Sequence, residues 1–253
     1  MRLFDTHAHL LDKRFDEDRE SLIASLPGKG MVGMIEVGCD VEDSRLAAQM
    51  AAQHDYVYAA VGIHPHDAGS AKDGYLDSLE DLAAQKKVVA IGEIGLDYHY
   101  DFSPREVQKQ VFAAQLSLAQ RLGMPVIIHM REATADTLDI LRAHIGVRGV
   151  MHCFSGSAET AKICVGMGLY VSFTGTVTFK NARKVVDAAA AVPLDRLMAE
   201  TDCPYLSPEP VRGKRNDPGN VKYVIEKLAD IHGVSADEMA ETNIRNAKEL
   251  YGI

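Results

Sequence analysis

The feature that most constrains this chain is a pairing that recurs along its whole length. A short apolar, β-branched run is followed each time by an amphipathic stretch. Eight runs read as strands: Arg2–Thr6, Gly33–Val37, Val57–Gly62, Val88–Gly92, Val126–His129, Gly149–His152, Tyr170–Phe173 and Leu197–Glu200. Helical stretches fall between or after them, at Glu42–His54, Gly74–Gln85, Arg105–Gly123, Thr134–Ile145, Ala158–Met167, Asn181–Ala191, Asn220–His232 and Ala236–Tyr251. The stretch from Arg105 is the clearest, because Pro104 suits a first turn and Gly123 stands where a C-terminal cap belongs. Such alternation marks βα units around a parallel sheet. Eight units in 253 residues predict an α/β fold of the closed (β/α)8 TIM-barrel type, a class of roughly 250 residues. The whole chain, residues 1–253, is expected to be one domain. An open doubly wound sheet is the alternative, but no G-x-G-x-x-G follows the first strand, which weakens a dinucleotide-binding version of it.

Several of the apolar runs stop at a residue that binds metals well. His7 and His9 stand at the end of the first, two apart, so their side chains share a face. Glu93, His129, His152 and Asp202 stand at the ends of later strands. One such residue can end a strand simply by facing water. Six at the same structural position make better sense at the C-terminal mouth of a barrel, where active sites lie. Four imidazoles and two carboxylates converging there can hold two divalent ions, with Glu93 as a bridge.

The motifs that contain these residues resemble the TatD family of metal-dependent hydrolases. They are Phe4-Asp5-Thr6-His7-Ala8-His9-Leu10, Val61-Gly62-Ile63-His64-Pro65-His66 and Gly92-Glu93-Ile94-Gly95-Leu96-Asp97-Tyr98. Further on come Pro125-Val126-Ile127-Ile128-His129-Met130-Arg131, His152-Cys153-Phe154-Ser155-Gly156 and Glu200-Thr201-Asp202-Cys203-Pro204-Tyr205-Leu206. The resemblance runs in order through essentially the whole chain. It implies a (β/α)8 barrel of the amidohydrolase type, divalent metals, and phosphodiester hydrolysis in the manner of a deoxyribonuclease. In that pattern His7, His9, Glu93, His129, His152 and Asp202 match the metal-binding positions. No Lys lies on the fourth strand, so Glu93 stands where related dinuclear enzymes use a modified Lys as the bridge.

Other residues are candidates for catalysis or substrate contact. His64 matches a family position near the substrate, where it can orient a phosphate or protonate a leaving oxygen. Arg131 follows His129 by two, and its fork of donors suits a phosphate oxygen. A salt bridge to Glu132 or Asp136 is the plainer role. Ser155 can donate to a phosphate or cap the next helix. Arg212 and Arg215 lie in a short basic cluster after Asp202 and are candidate contacts to a nucleic-acid backbone. Asp97 and Glu200 are acids suited to orienting metal-bound groups. Asp202 and Glu93 are the acids expected to take part in catalysis.

Charge sets a limit on partners. The formal net charge is −9, which argues against a protein that coats nucleic acid or binds an anionic membrane. An enzyme that grips phosphates through metals and a few local cations remains compatible. With aromatics at 6%, there is little material for base stacking, which leaves a small-molecule ester, amide or phosphoester as the competing substrate. Four cysteines without C-x-x-C spacing, and an N-terminus unlike a secretory signal, fit reduced thiols and a cytoplasmic location. The expectation is therefore a monomeric cytoplasmic deoxyribonuclease with two divalent ions (Mg, Mn or Zn), acting on single-stranded DNA or its 3′ ends.

Overall fold

The computed structural model describes all 253 residues. Its strands are β1 (Leu3–Ala8), β2 (Met31–Val37), β3 (Val57–Val61), β4 (Val88–Asp97), β5 (Val126–Arg131), β6 (Gly149–Met151), β7 (Tyr170–Phe173) and β8 (Leu197–Ala199). The α-helices are α1 (Arg19–Ser25), α2 (Val41–Gln53), α3 (Tyr75–Ala83), α4 (Arg105–Leu122), α5 (Thr134–Ala143), α6 (Ala158–Gly166), α7 (Arg183–Ala191), α8 (Val221–His232) and α9 (Ala236–Tyr251). All eight expected strands and all eight expected helices are present, most with ends shifted by one to three residues. Only α1 has no counterpart in the sequence reading. It is seven residues long with a single buried side chain, Ile23, too short to show a helical period.

The chain divides into two compact units. The first holds Met1–Glu36 with Cys153–Glu249 and Ile253; the second holds Val37–His152 with Leu250–Gly252. In the first unit β1 pairs in parallel with β2, and β7 with β8. A parallel bridge from Ala8 to Cys203 ties the end of β1 to the segment after β8. In the second unit β3, β4, β5 and β6 pair in parallel in sequence order. Strands buried on both faces read as continuous apolar runs, and β4 and β8 show it, with every residue buried.

The helix ends follow local chemistry. Asp40 caps α2 by accepting from Asp43 N, with Glu42 and Asp43 in the first turn favouring the positive end of the dipole. Ser157, not Ser155, caps α6 by accepting from Thr160 N. Gly123 closes α4 in the left-handed conformation, at φ 66°.

The largest departure from the sequence reading is β4. The sequence reading ends this strand at Gly92, yet the strand runs on to Asp97. Gly92 and Gly95 serve close approach instead of a turn. A Cβ on Gly92 would lie 2.6 Å from Ile127 Cβ, and one on Gly95 would lie 2.0 Å from the His129 carbonyl oxygen. Gly95 also has a φ of 146°, which side-chain-bearing residues rarely adopt. Without side chains there, β5 packs tightly enough to pair Gly95 with His129 and Asp97 with Arg131. Glu93 therefore lies inside a long strand, and Asp202 lies three residues beyond the end of β8.

Helix α9 secures the first unit through two asparagines. Asn243 Nδ2 donates to the Phe4 carbonyl at 2.8 Å, and Ala199 N donates to Asn243 Oδ1 at 2.9 Å. Asn246 Nδ2 donates to the carbonyls of Leu194 and Leu197 at 2.7 and 2.8 Å. Asn243 is buried, so Asn243→Ala strands a backbone acceptor on β1 and a donor on β8 away from water. Each orphaned group is expected to cost roughly 1–3 kcal/mol, and urea titration should show a matching fall in the denaturation midpoint with little change in slope.

Candidate metal centre

In the first unit, β1 carries His7 on its buried face and releases His9 just past its end. Two backbone bonds hold this segment against the residues after β8. Asp202 N donates to His7 O at 3.0 Å, and His9 N donates to Cys203 O at 2.9 Å. Asp202 takes a φ of 55° to present its side chain, a left-handed conformation that Asp tolerates better than most residues. The result is a convergent set. His7 Nε2 lies 3.0 Å from His9 Nε2 and 3.9 Å from Asp202 Oδ1, and His9 Nε2 lies 3.5 Å from the same oxygen. Donors about 2.0–2.2 Å from a zinc-like ion in tetrahedral geometry are separated by roughly 3.3–3.6 Å. The three spacings, 3.0, 3.5 and 3.9 Å, straddle that range, and two imidazoles with a carboxylate are a donor set suited to a divalent cation.

Asp5 and Glu36, which the motif reading gave no role, support this set together with Glu200. Asp5, fully buried, accepts from Thr201 N at 2.8 Å, from Thr201 Oγ1 at 2.5 Å and from His7 N at 3.3 Å. Burial pushes its carboxyl well above the usual range despite those donors. Glu36 on β2 accepts from the amides of Leu10 and Leu11, both at 2.9 Å, and so fixes the turn after His9. Glu200 accepts from Cys153 N at 2.6 Å. The sequence signal for Asp5 and Glu36 was available: a carboxylate within an apolar strand has to find donors. Cys203 is fully buried and its thiol is pushed well up by that burial, which suits packing and not ligation.

In the second unit, Glu93 on β4 is the hub. Its Oε1 lies 2.7 Å from His129 Nδ1, 3.3 Å from His152 Nε2 and 3.5 Å from His64 Nε2. His129 projects from β5, while His64 and His152 follow β3 and β6. Their amides are fixed by His64 N donating to Cys39 O at 2.8 Å and His152 N donating to Ile128 O at 3.0 Å. Burial alone would raise the Glu93 pKa. The neighbouring imidazoles of His152, His64 and His129 outweigh it and hold the carboxyl well below its usual value. The Glu93 carboxylate with the His129 and His152 imidazoles again forms a donor set suited to a divalent cation.

Asp97, at the end of β4, extends this cluster. Its Oδ2 lies 3.0 Å from both His129 Nε2 and His66 Nε2, and its Oδ1 accepts from the amides of His99 and Tyr100. Asp97 thus holds the His129 ring at its Nε2. His66, which reads from the sequence as a loop residue beside Pro65, comes into the same network. His64 Nδ1 accepts from His66 N at 3.1 Å, so the neutral ring carries its proton on Nε2. Burial lowers the His64 pKa to about 4, keeping that ring neutral near pH 7.

The candidate substrate contacts have varied surroundings. Arg131 makes no ion pair to Glu132 or Asp136; its guanidinium lies 4.8 Å from the centre of the Tyr100 ring. Ser155 is exposed. Arg215 is engaged by Asp18 through two bonds of 2.8 and 2.6 Å, donates to Arg14 O, and lies over the Phe15 ring. Arg212 lies over Phe179 and 3.7 Å from Glu209.

Comparison with known proteins follows the same pattern. The family model described as TatD related DNase matches residues 4–252. The metal-dependent hydrolase YabD of Bacillus subtilis is 46% identical over 253 residues, covering 99% of each chain. The 3′-5′ ssDNA/RNA exonuclease TatD of Escherichia coli K12 is 33% identical over 258 residues, again covering 99% of each. Among solved structures, the TatD homologue YjjV of Escherichia coli K12 superposes with a TM-score of 0.93 at 31% identity, covering 100% of this chain and 98% of its own. The fold is thus the (β/α)8 barrel expected from the eight βα repeats. No helix is long and apolar enough to cross a membrane.

The Asp97 network gives a pH signature. Burial opposes its charge, but the His129 bond, the Tyr100 amide and the other donors together hold its pKa below the usual value. A depressed carboxyl contributes stability that is fully present above its unfolded pKa, about 3.9, and is lost as pH falls through the folded value. Melting temperatures of metal-free protein, taken from about pH 7 down to about pH 3, should fall more steeply below about pH 4 in the wild type than in Asp97→Asn.

Proposed function

We propose, from the premise that this chain belongs to the TatD-related DNase family and is a metal-dependent hydrolase, that it cleaves phosphodiester bonds at the ends of single-stranded DNA with two divalent ions at its site. The observation that carries the reading is the pair of donor clusters, His7–His9–Asp202 and Glu93–His129–His152–His64. His7 and His129 lie towards the C-terminal ends of β1 and β5, His9, His64, His152 and Asp202 lie beyond the ends of their strands, and Glu93 lies within β4. On this reading His7, His9 and Asp202 would hold one ion, and Glu93, His129 and His152 would hold another.

The bound ions would supply an activated water and neutralise charge on the phosphate. The protein's own groups do the rest. Glu93 stays ionised at neutral pH because three imidazoles surround it, so it remains available as a ligand. Asp202, held by backbone bonds beside His7, can take a proton from the attacking water. Neutral His64 presents an N–H at Nε2, which can donate to a phosphate oxygen or to the leaving oxygen. Arg131, free of any carboxylate partner, keeps its fork for a non-bridging oxygen. Arg215 would have to exchange its Asp18 partner before it contacted a phosphate. The Escherichia coli relative named as a 3′-5′ ssDNA/RNA exonuclease supports a single-stranded substrate entered from its 3′ end. A monomer is the simplest form in which one barrel supplies every group named.

Metal-free protein incubated with labelled single-stranded DNA should regain cleavage on addition of magnesium, manganese or zinc. The double variant His7→Ala with Asp202→Ala should lose more than roughly 100-fold in rate. Cleavage that survives in the variant would sink the assignment of the ions. Protein that binds two ions yet cleaves no oligonucleotide would favour a small-molecule ester substrate.

A further inference from the structure

Beside the second cluster lies a feature the metal chemistry does not use. Tyr100 and Phe102 are 48% and 69% exposed, among the few large apolar side chains on the surface. Their rings stack on one another, centroids 5.2 Å apart and planes 21° from parallel. Isolated exposed apolar side chains are ordinary, but a stacked aromatic pair facing water forgoes the burial that would stabilise it.

The pair is held firmly, and beside the catalytic groups. Tyr100 N donates to Asp97 Oδ1 at 2.8 Å, the same carboxylate that meets His129 and His66. Ser103 Oγ donates to His66 O at 2.7 Å and accepts from Gly69 N at 2.8 Å, clamping the far end of the loop. Asp101 between the two rings turns outward at a φ of 55° and pairs with Arg105 at 2.7 Å. The His66 ring contacts both aromatics edge-on, at 4.9 Å from Phe102 and 5.4 Å from Tyr100. Arg131 completes the patch, with its guanidinium 4.8 Å from the Tyr100 ring centre and no carboxylate to neutralise it.

We propose that Tyr100 and Phe102 form a stacking platform for the terminal nucleobases of a single-stranded nucleic acid, with Arg131 receiving the adjoining phosphate. The inference rests on the nuclease reading and deepens it. Every base has a π-face, so stacking holds a strand without reading its sequence. A cation beside an aromatic surface is what a base followed by a phosphate requires. The small number of aromatics in the chain is then no obstacle, because two are placed where they are needed. A base seated on the rings lies next to His66, and its phosphate is directed towards His129 and Glu93.

The test uses full-length, metal-loaded protein. The probe is a short oligonucleotide with 2-aminopurine at its 3′ end and phosphorothioate linkages to slow hydrolysis. Stacking should quench the 2-aminopurine fluorescence in the wild type. Phe102→Ala and Tyr100→Ala should each raise Kd roughly 10-fold, whereas Phe102→Trp should bind as tightly as the wild type. An oligonucleotide whose terminal residues are abasic should bind the wild type and both alanine variants equally. Unchanged Kd in the alanine variants, absent quenching, or equal losses on the abasic probe would overturn the platform. Quenching by a protein that cleaves no unmodified oligonucleotide would leave the platform standing and overturn the nuclease reading instead.

Discussion

A carboxylate taken out of water must be given donors or lose its charge, and that requirement organises both units of this protein. Asp5, Glu36, Asp97 and Glu200 are all buried. Each accepts a backbone amide from a loop near the C-terminal end of a strand: Asp5 from Thr201, Glu36 from Leu10 and Leu11, Asp97 from His99 and Tyr100, and Glu200 from Cys153. The acids are satisfied by holding those loops in one conformation. Three of these loops adjoin the candidate metal ligands His9, His152 and Asp202. Removing any of these acids would leave buried amides without acceptors and loosen the ligand it supports.

Glu93 shows the same physics with imidazoles in place of amides. Its charge persists in a buried place because His129, His152 and His64 surround one of its oxygens. The arrangement suits a ligand, since a bound cation would replace imidazole protons as the compensating charge. The aromatic loop after β4 is anchored to the same framework through Asp97, so the Glu93–His129 cluster and the exposed ring pair share one support.

The long β4 decides how close these groups come. Glycine at 92 and 95 lets β5 approach until its backbone occupies the space a Cβ would fill. That contact sets the register in which Gly95 lies opposite His129 and Asp97 opposite Arg131. A single glycine in an apolar run reads more naturally as a terminator, because the sequence does not show what lies on the other side of it.

The sequence by itself determined the order and kind of the elements, since hydrophobic period and helix caps are local properties. It also marked His7, His9, Glu93, His129, His152 and Asp202, because a histidine or acid within or just after an apolar run contradicts the pattern around it. Tertiary structure alone decided which nitrogen of each histidine faces which carboxylate. It also brought His66 to Asp97, engaged Arg215 with Asp18, and stacked Tyr100 on Phe102. These outcomes depend on distances between residues far apart in the chain, and on the buried donors each charge could reach once the strands had packed.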